Sequence, residues 1–143
     1  MQVRIALPSE HAAIRQLLTA SALPVQDLDT AAVAFLVADD DRVLAGVVGV
    51  QAFGDVGLLR SLAVSPEYRR TGIGDRLVAA AERDAQARGL RQLVLLTQTA
   101  ADFFSKRGYR PIERAQAPTG VQASAEFQSL CPASAACLSK QIE

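Results

Sequence analysis

Leu62-Ala63-Val64-Ser65-Pro66-Glu67-Tyr68-Arg69-Arg70-Thr71-Gly72-Ile73-Gly74 decides how the rest of the chain is read. It begins as an apolar strand and breaks at Pro66, which has no backbone N–H to give a sheet. It then passes through Arg69-x-x-Gly72-x-Gly74 into a helix. The first N–H groups of a helix have no intrahelical partner, and the helix dipole adds partial positive charge there. Gly72 and Gly74 tolerate positive φ and a close approach to the backbone. Arg69 and Arg70 add forked donors suited to phosphate oxygens. A strand, turn and helix built this way predict a site for a phosphate or pyrophosphate. Neither common nucleotide signature fits. The third glycine of a dinucleotide fingerprint is absent, and no P-loop run occurs.

Around this stretch the elements follow from periodicity. Val3–Leu7 alternates as a first strand, and Pro8 and Ser9 open a helix with Ile14, Leu17 and Leu18 on one face. Val25–Thr30 is a loop or a single helical turn. Val33–Ala38 is a strand, turned by Asp39-Asp40-Asp41 into a long apolar strand over Val43–Phe53. Gly54-Asp55 leads to a strand over Val56–Val64. A helix over 72–88 follows, buried along Ile73, Leu77, Val78, Ala81 and Ala85 and facing water at Glu82, Arg83, Asp84 and Arg88, with Gly89 as its stop. Gln92–Thr97 is a strand, Thr99 caps a short helix over Ala100–Lys106, and Tyr109–Glu113 is a strand. A loop and helix span Pro118–Leu130, and Ala136–Ile142 closes the chain as a strand. Strands with helical crossovers predict a mixed α/β fold in one domain over 1–143.

Composition narrows the function. Half of the 143 residues are hydrophobic, 21% are charged and the formal net charge is zero. That balance points away from nucleic acid and from anionic membranes. No run is long enough to span a bilayer, so the expected setting is cytoplasmic. Cys131 and Cys137 are expected as small reduced core thiols. The lone histidine, His11, is expected on the surface, and no metal-ligand spacing occurs.

The pattern Arg-x-x-Gly-x-Gly after a Leu-Ala-Val strand and a Ser-Pro-Glu-Tyr turn resembles the pyrophosphate loop of the GNAT N-acetyltransferases. The element order matches that fold along the whole chain. Leu95–Tyr109, ending in Gly108-Tyr109, is similar to the amino-acid acetyltransferase branch. Leu59–Val64 and Glu126–Ala135 resemble the small arsenic-resistance-associated N-acetyltransferases. The resemblance implies a mixed sheet splayed between its fourth and fifth strands and flanked by helices. It implies acetyl-CoA as co-substrate and a small amine as partner, and it allows a homodimer. It places Leu62, Ala63, Val64, Arg69, Arg70, Thr71, Gly72, Ile73, Gly74 and Phe103 on the cofactor, with pantetheine along 62–64. Arg60 and Thr97 fall on the acceptor.

Two positions depart from that pattern. Where many relatives carry a glutamate base this chain has Leu58, and where many carry a tyrosine acid it has Phe104. Tyr109 is expected to pack in the core. No catalytic base or acid is assigned. The competing readings are a glutamate-type amino-acid acetyltransferase and a non-catalytic CoA-binding sensor. Arg60 stands in a central strand, and strict alternation sets it on one face with Leu58 and Leu62. It either binds an acidic group of the acceptor or pairs internally, with Asp55 or Glu126.

Overall fold

The computed structural model describes all residues, 1–143. Seven strands form one sheet in the order β1-β2-β3-β4-β5-β7-β6. They are β1 (Gln2–Ile5), β2 (Val33–Asp40), β3 (Val43–Phe53), β4 (Val56–Val64), β5 (Gln92–Thr97), β6 (Arg110–Pro111) and β7 (Ala136–Gln141). Helices α1 (His11–Ala20), α2 (Ile73–Ala87), α3 (Ala101–Ser105) and α4 (Thr119–Gln122) lie between them. Every pairing is antiparallel except β4 with β5.

The unbroken apolar run of β3 has its reason here, because both faces of the sheet are covered. α2 packs Ile73, Leu77, Val78, Ala81 and Ala85 against one face. On the other, Ile14 and Leu18 of α1 meet Val37, Val47 and Ala63, and Val121 of α4 meets Val56, Leu58 and Val94. Sheets buried on both sides lose the alternation that a solvated face would impose.

Several boundaries differ from the sequence reading. β1 ends at Ile5, two residues early, because the chain enters a 3-10 turn at Pro8–Glu10 ahead of α1. The hairpin between β2 and β3 turns on Asp41 and Arg42 alone, both at positive φ, while Asp39 and Asp40 stay in the strand. Each carboxylate has a partner. Arg4 donates to Asp39 at 3.0 Å, and the Tyr68 hydroxyl donates to Asp40 at 2.7 Å. β6 is only two residues long, since Pro111 cannot donate to the ladder. Glu82 does not face water. It accepts from the Tyr109 hydroxyl at 2.8 Å and from Lys140 at 3.0 Å. Thr99 does not cap α3: the N-cap is Ala100, no side chain caps the helix, and the Ala100 N–H is taken by the Thr97 hydroxyl oxygen at 2.9 Å.

Two irregularities of β4 make the site. β4 and β5 are in register only over Val56–Gln92, Gly57–Leu93 and Leu58–Val94, after which they diverge. In the pairing with β3, Ala63 faces Val47 and Arg60 faces Gly49, so Ser61 and Leu62 together oppose Val48. Ser61 takes φ 61° to do so. This β-bulge inserts one residue and shifts the side-chain phase. Leu58 and Arg60 therefore share a face with Ala63. Leu62 turns to the α2 face with Leu59, against the expectation of strict alternation.

Candidate active site

The wedge where β4 and β5 part is a cleft of about 490 Å³. Its floor is Leu59–Leu62 of β4. One side is formed by Leu95–Ala100 and Phe104, and the other by Ser21–Pro24, Gln26, Leu130 and Cys131. Beyond Leu58 the backbone of β4 has no ladder partner on its β5 side. Its polar groups are open to a ligand that lies in the gap, since an unpaired buried amide or carbonyl is costly.

The glycine turn lies at the end of β4. After a 3-10 turn at Pro66–Tyr68, Arg70 has φ 65° and Gly72 has φ 82°, and the first intrahelical bond of α2 is Arg76 N–H to Gly72 O at 3.1 Å. The N–H groups just ahead of it lie in the first turn, where a helix offers no acceptor. The Thr71 hydroxyl donates to Tyr68 O, and the Tyr68 hydroxyl ties the turn to Asp40 of β2. Arg69 donates from Nε to Val64 O at 3.3 Å, and no acidic side chain pairs with Arg69 or Arg70. Ile73 is buried and anchors the helix start. Gly74 is small for a different reason than phosphate approach: a Cβ there would sit 3.3 Å from the Phe103 ring. Phe103 is thereby brought to the first turn of α2, and the Arg107 guanidinium stacks 3.5 Å from its centroid while pairing with Asp75. Of the residues expected on the cofactor, Leu62 lines the cleft, Ala63 is buried against α1, Val64 packs on the α2 face, and Phe103 stands beside Gly74 at the start of α2, so the open edge is that of residues 59–62 rather than 62–64. These open amides, free guanidinium groups and a cleft at the strand's unpaired edge are a fit for a pyrophosphate with an extended tail.

On the acceptor side Arg60 has no exposed side-chain surface. Its fork grips Asp27 at 2.6 and 2.7 Å. Nε lies 3.3 Å from Glu126 Oε2, and Nη1 also donates to Gln51 at 3.2 Å. Of the two internal partners expected, Glu126 is present and Asp55 is not. Asp27, in a turn 33 residues upstream, has no sequence signal beyond being an acid in an otherwise uncommitted stretch. The Arg60 hydrogen bonds hold the Asp27 carboxyl below the usual carboxylate range. Burial pushes Glu126 up, and Arg60 only partly opposes it. Burial and the neighbouring Glu126 push the Cys131 thiol up to about 11, which keeps it neutral. Cys137 is buried in the sheet core.

The two substituted positions are apolar in fact as well as in name. Leu58 is fully buried against Val94 and Val121, and Phe104 packs edge-on to Tyr109 at 5.3 Å. Tyr109 is itself core. Its hydroxyl is spent on Glu82, and burial raises its pKa far above that of a free phenol.

With this geometry the comparisons fall into place. The sequence profile described as "Acetyltransferase (GNAT) domain" matches residues 31–111. The chain belongs to this acetyltransferase family. An amino-acid acetyltransferase of Ectopseudomonas mendocina is 47% identical over 60 residues, which are 42% of this chain and 14% of that protein. The chain spans less than a fifth of the length of the curated relatives it matches. N-acetylglutamate synthase from Neisseria gonorrhoeae, solved with coenzyme A and N-acetyl-glutamate, superposes with a TM-score of 0.85 at 20% identity, covering 99% of this chain and 35% of that one. A Mycobacterium tuberculosis protein solved with CoA and NLQ gives 0.83 at 23% identity and covers all of both chains. The fold is that of a GNAT acetyltransferase, a mixed sheet opened between β4 and β5 and flanked by helices. No helix is long and apolar enough to cross a membrane.

Proposed function

We propose that this acyltransferase moves the acetyl group of acetyl-CoA to the amine of a small, amino-acid-like acceptor. The observation that carries the reading is that β4, whose unpaired edge floors the cleft, runs at its end into the glycine turn that opens α2. The turn supplies amides and Arg69 and Arg70 to the pyrophosphate, and the edge supplies backbone groups to the pantetheine. Acetyl-CoA brings a thioester carbonyl open to attack by a neutral amine. An N–H at the gap edge stabilises the negative charge that develops on the carbonyl oxygen. The C–N bond forms, the C–S bond breaks and the ammonium proton passes to water. Neither of the two aromatic positions donates a proton to the thiolate: Phe104 has none to give and Tyr109 is committed to Glu82. Orientation of two reactants in one cleft supplies about 7–11 kcal/mol in favourable cases, and the chain contributes chiefly that. Amino-acid-like acceptors are favoured by the sequence likeness to proteins named amino-acid acetyltransferase.

The test is thiol release from acetyl-CoA against a panel of amines: L-glutamate and other amino acids, an arsenic-bearing amino-acid analogue, a polyamine and an aminoglycoside. Turnover is expected with one or more of the amino-acid class and is expected to be poor with the polycations. Tight CoA binding with no turnover of any amine would favour the sensor reading, which the apolar Leu58 and Phe104 support.

A further inference from the structure

The acceptor half of the cleft is built from segments that lack regular structure. Ser21–Pro24 and Gln26 follow the end of α1, and Leu130 ends, and Cys131 follows, a π-helical turn over Glu126–Leu130. Their backbone hydrogen bonds are local, such as Leu28 N–H to Val25 O at 3.2 Å and Cys131 N–H to Glu126 O at 3.1 Å, and do not tie them to β4. One group reaches both. The Arg60 guanidinium, on β4, grips Asp27 next to Gln26 at 2.6 and 2.7 Å, and it lies 3.3 Å from the carboxylate of Glu126, the residue that opens the π-helical turn. From Glu126 the link to the cleft is direct. Its carbonyl accepts the N–H of Cys131 at 3.1 Å, and Cys131 lines the cleft.

We propose that Asp27 and Glu126 are positioning residues of the acceptor site, acting through Arg60, which pins both loops of that one wall to β4 at the floor of the cleft. This inference rests on the acetyltransferase reading given above. It also reassigns Arg60. Its fork is taken by the chain's own carboxylates, so its contribution to the acceptor is indirect. Three further observations support a fixed clamp over an exchangeable one. Leu28, next to Asp27, is buried in the core with Ile14, Leu18 and Val37. The same turn is braced by Arg15, which donates to Val25 O and pairs with Asp29 at 2.9 Å. A π-helical turn is also an uncommon element, and such turns are frequent at functional sites. Arg60 faces only hydrogen-bond acceptors, so losing one partner leaves a charged donor buried and open.

The expected readout is a split between the two substrates. Asp27→Ala and Glu126→Ala should each raise KM for the acceptor by about tenfold or more, the scale of one charge-assisted hydrogen bond. KM for acetyl-CoA and the CoA dissociation constant should stay within about twofold, because the phosphate turn touches neither carboxylate. Glu126→Gln and Asp27→Asn keep an oxygen that can accept from Arg60, and they should recover part of the loss. A fold-only role would be revealed by lowered thermal stability with an unchanged acceptor KM in the variants that remain folded, and this would overturn the proposal. Equal losses for both substrates would overturn it too. If Asp27→Ala does not fold, Asp27→Asn and Glu126→Gln carry the same comparison. An inactive wild-type protein would sink the acetyltransferase reading instead. Active protein with no KM split would sink the clamp alone.

Discussion

Two glycines in the phosphate turn serve different ends, and their substitutions should separate accordingly. At Gly72 the φ of 82° is the constraint, with no atom within 4 Å of where a Cβ would stand. A β-branched residue there costs about 1–3 kcal/mol of backbone strain, so Gly72→Val should lower stability as well as CoA affinity. At Gly74 the constraint is the Phe103 ring at 3.3 Å, the end of a side chain that can swing. Gly74→Val should displace Phe103 and weaken CoA binding with little loss of stability. Calorimetric titration with CoA, paired with a melting curve, distinguishes the two. NAD or ATP binding without CoA binding would refute the assignment of CoA to this turn. Tyr109 is a third case. Tyr109→Phe removes a buried hydrogen bond to Glu82, costing about 1 kcal/mol of stability, and should leave kcat nearly unchanged. A fall of about 100-fold would be the loss expected of a general acid and would place Tyr109 in the chemistry. The turn residues and the core tyrosine were legible because each sits in a local pattern. Arg60 was legible only as a buried charge in need of an anion. Its main partner lies 33 residues away, and no local periodicity marks Asp27.

Among the elements, β4 holds the most information that period-two reading cannot reach. Its length and burial follow from composition, but the bulge at Ser61 comes from an extra residue fitted against β3, which only the pairing exposes. After β6 a loop and helix over 118–130 were legible, but not the division into α4 and a π-helical turn, which depends on packing Val121 and Glu126 inward rather than on helix propensity. The carboxylates held on β4 make the pH dependence of stability a test of that packing. Asp27 has a folded-state pKa below its unfolded value. Its stabilising contribution is therefore present above the unfolded pKa of about 3.9 and is lost as pH falls through the folded value. Glu126 is opposite in sign. Its folded pKa is raised, so the contribution is full below about 4.3 and is lost as pH rises through the folded value. Asp27→Asn should thus destabilise at pH 7, with the deficit shrinking in acid. Glu126→Gln should cost little at pH 8 and should flatten the decline of stability above the ordinary glutamate range. Denaturant midpoints from pH 4 to 8 check both slopes. Parallel shifts at every pH would mean that neither carboxylate titrates differently on folding.

At the scale of the molecule, one sheet performs two tasks because it is closed at one end of β4 and open at the other. Its element order was legible from the strand and helix periods, and its opening between β4 and β5 was expected from family resemblance alone. No residue type marks where two parallel strands cease to pair. In the structure the pairing ends at Leu58–Val94, and the cleft begins with Leu59 and Leu95. The amides of residues 59–62 that face this gap have no strand to bond. In the free protein they should exchange with solvent faster than the amides of β3, which pairs on both edges. Pantetheine lying along the edge would give them a partner, so saturating CoA should slow exchange at 59–62 and at the turn 69–75 together. Binding only to the folded state also stabilises it, by about 2.7 kcal/mol at a ligand concentration 100 times the dissociation constant. Exchange at β1 should change no more than this overall stabilisation requires. Dephosphorylated pantetheine should protect 59–62 but not 69–75, and adenosine 3′,5′-bisphosphate, which lacks the tail, should not protect 59–62. Measurement of exchange by mass spectrometry with these three ligands tests the assignment of tail to strand and phosphate to helix. If CoA raises the melting temperature and leaves 59–62 unprotected, the ligand is bound away from the opened edge of the sheet, and the proposed path of the cofactor is wrong.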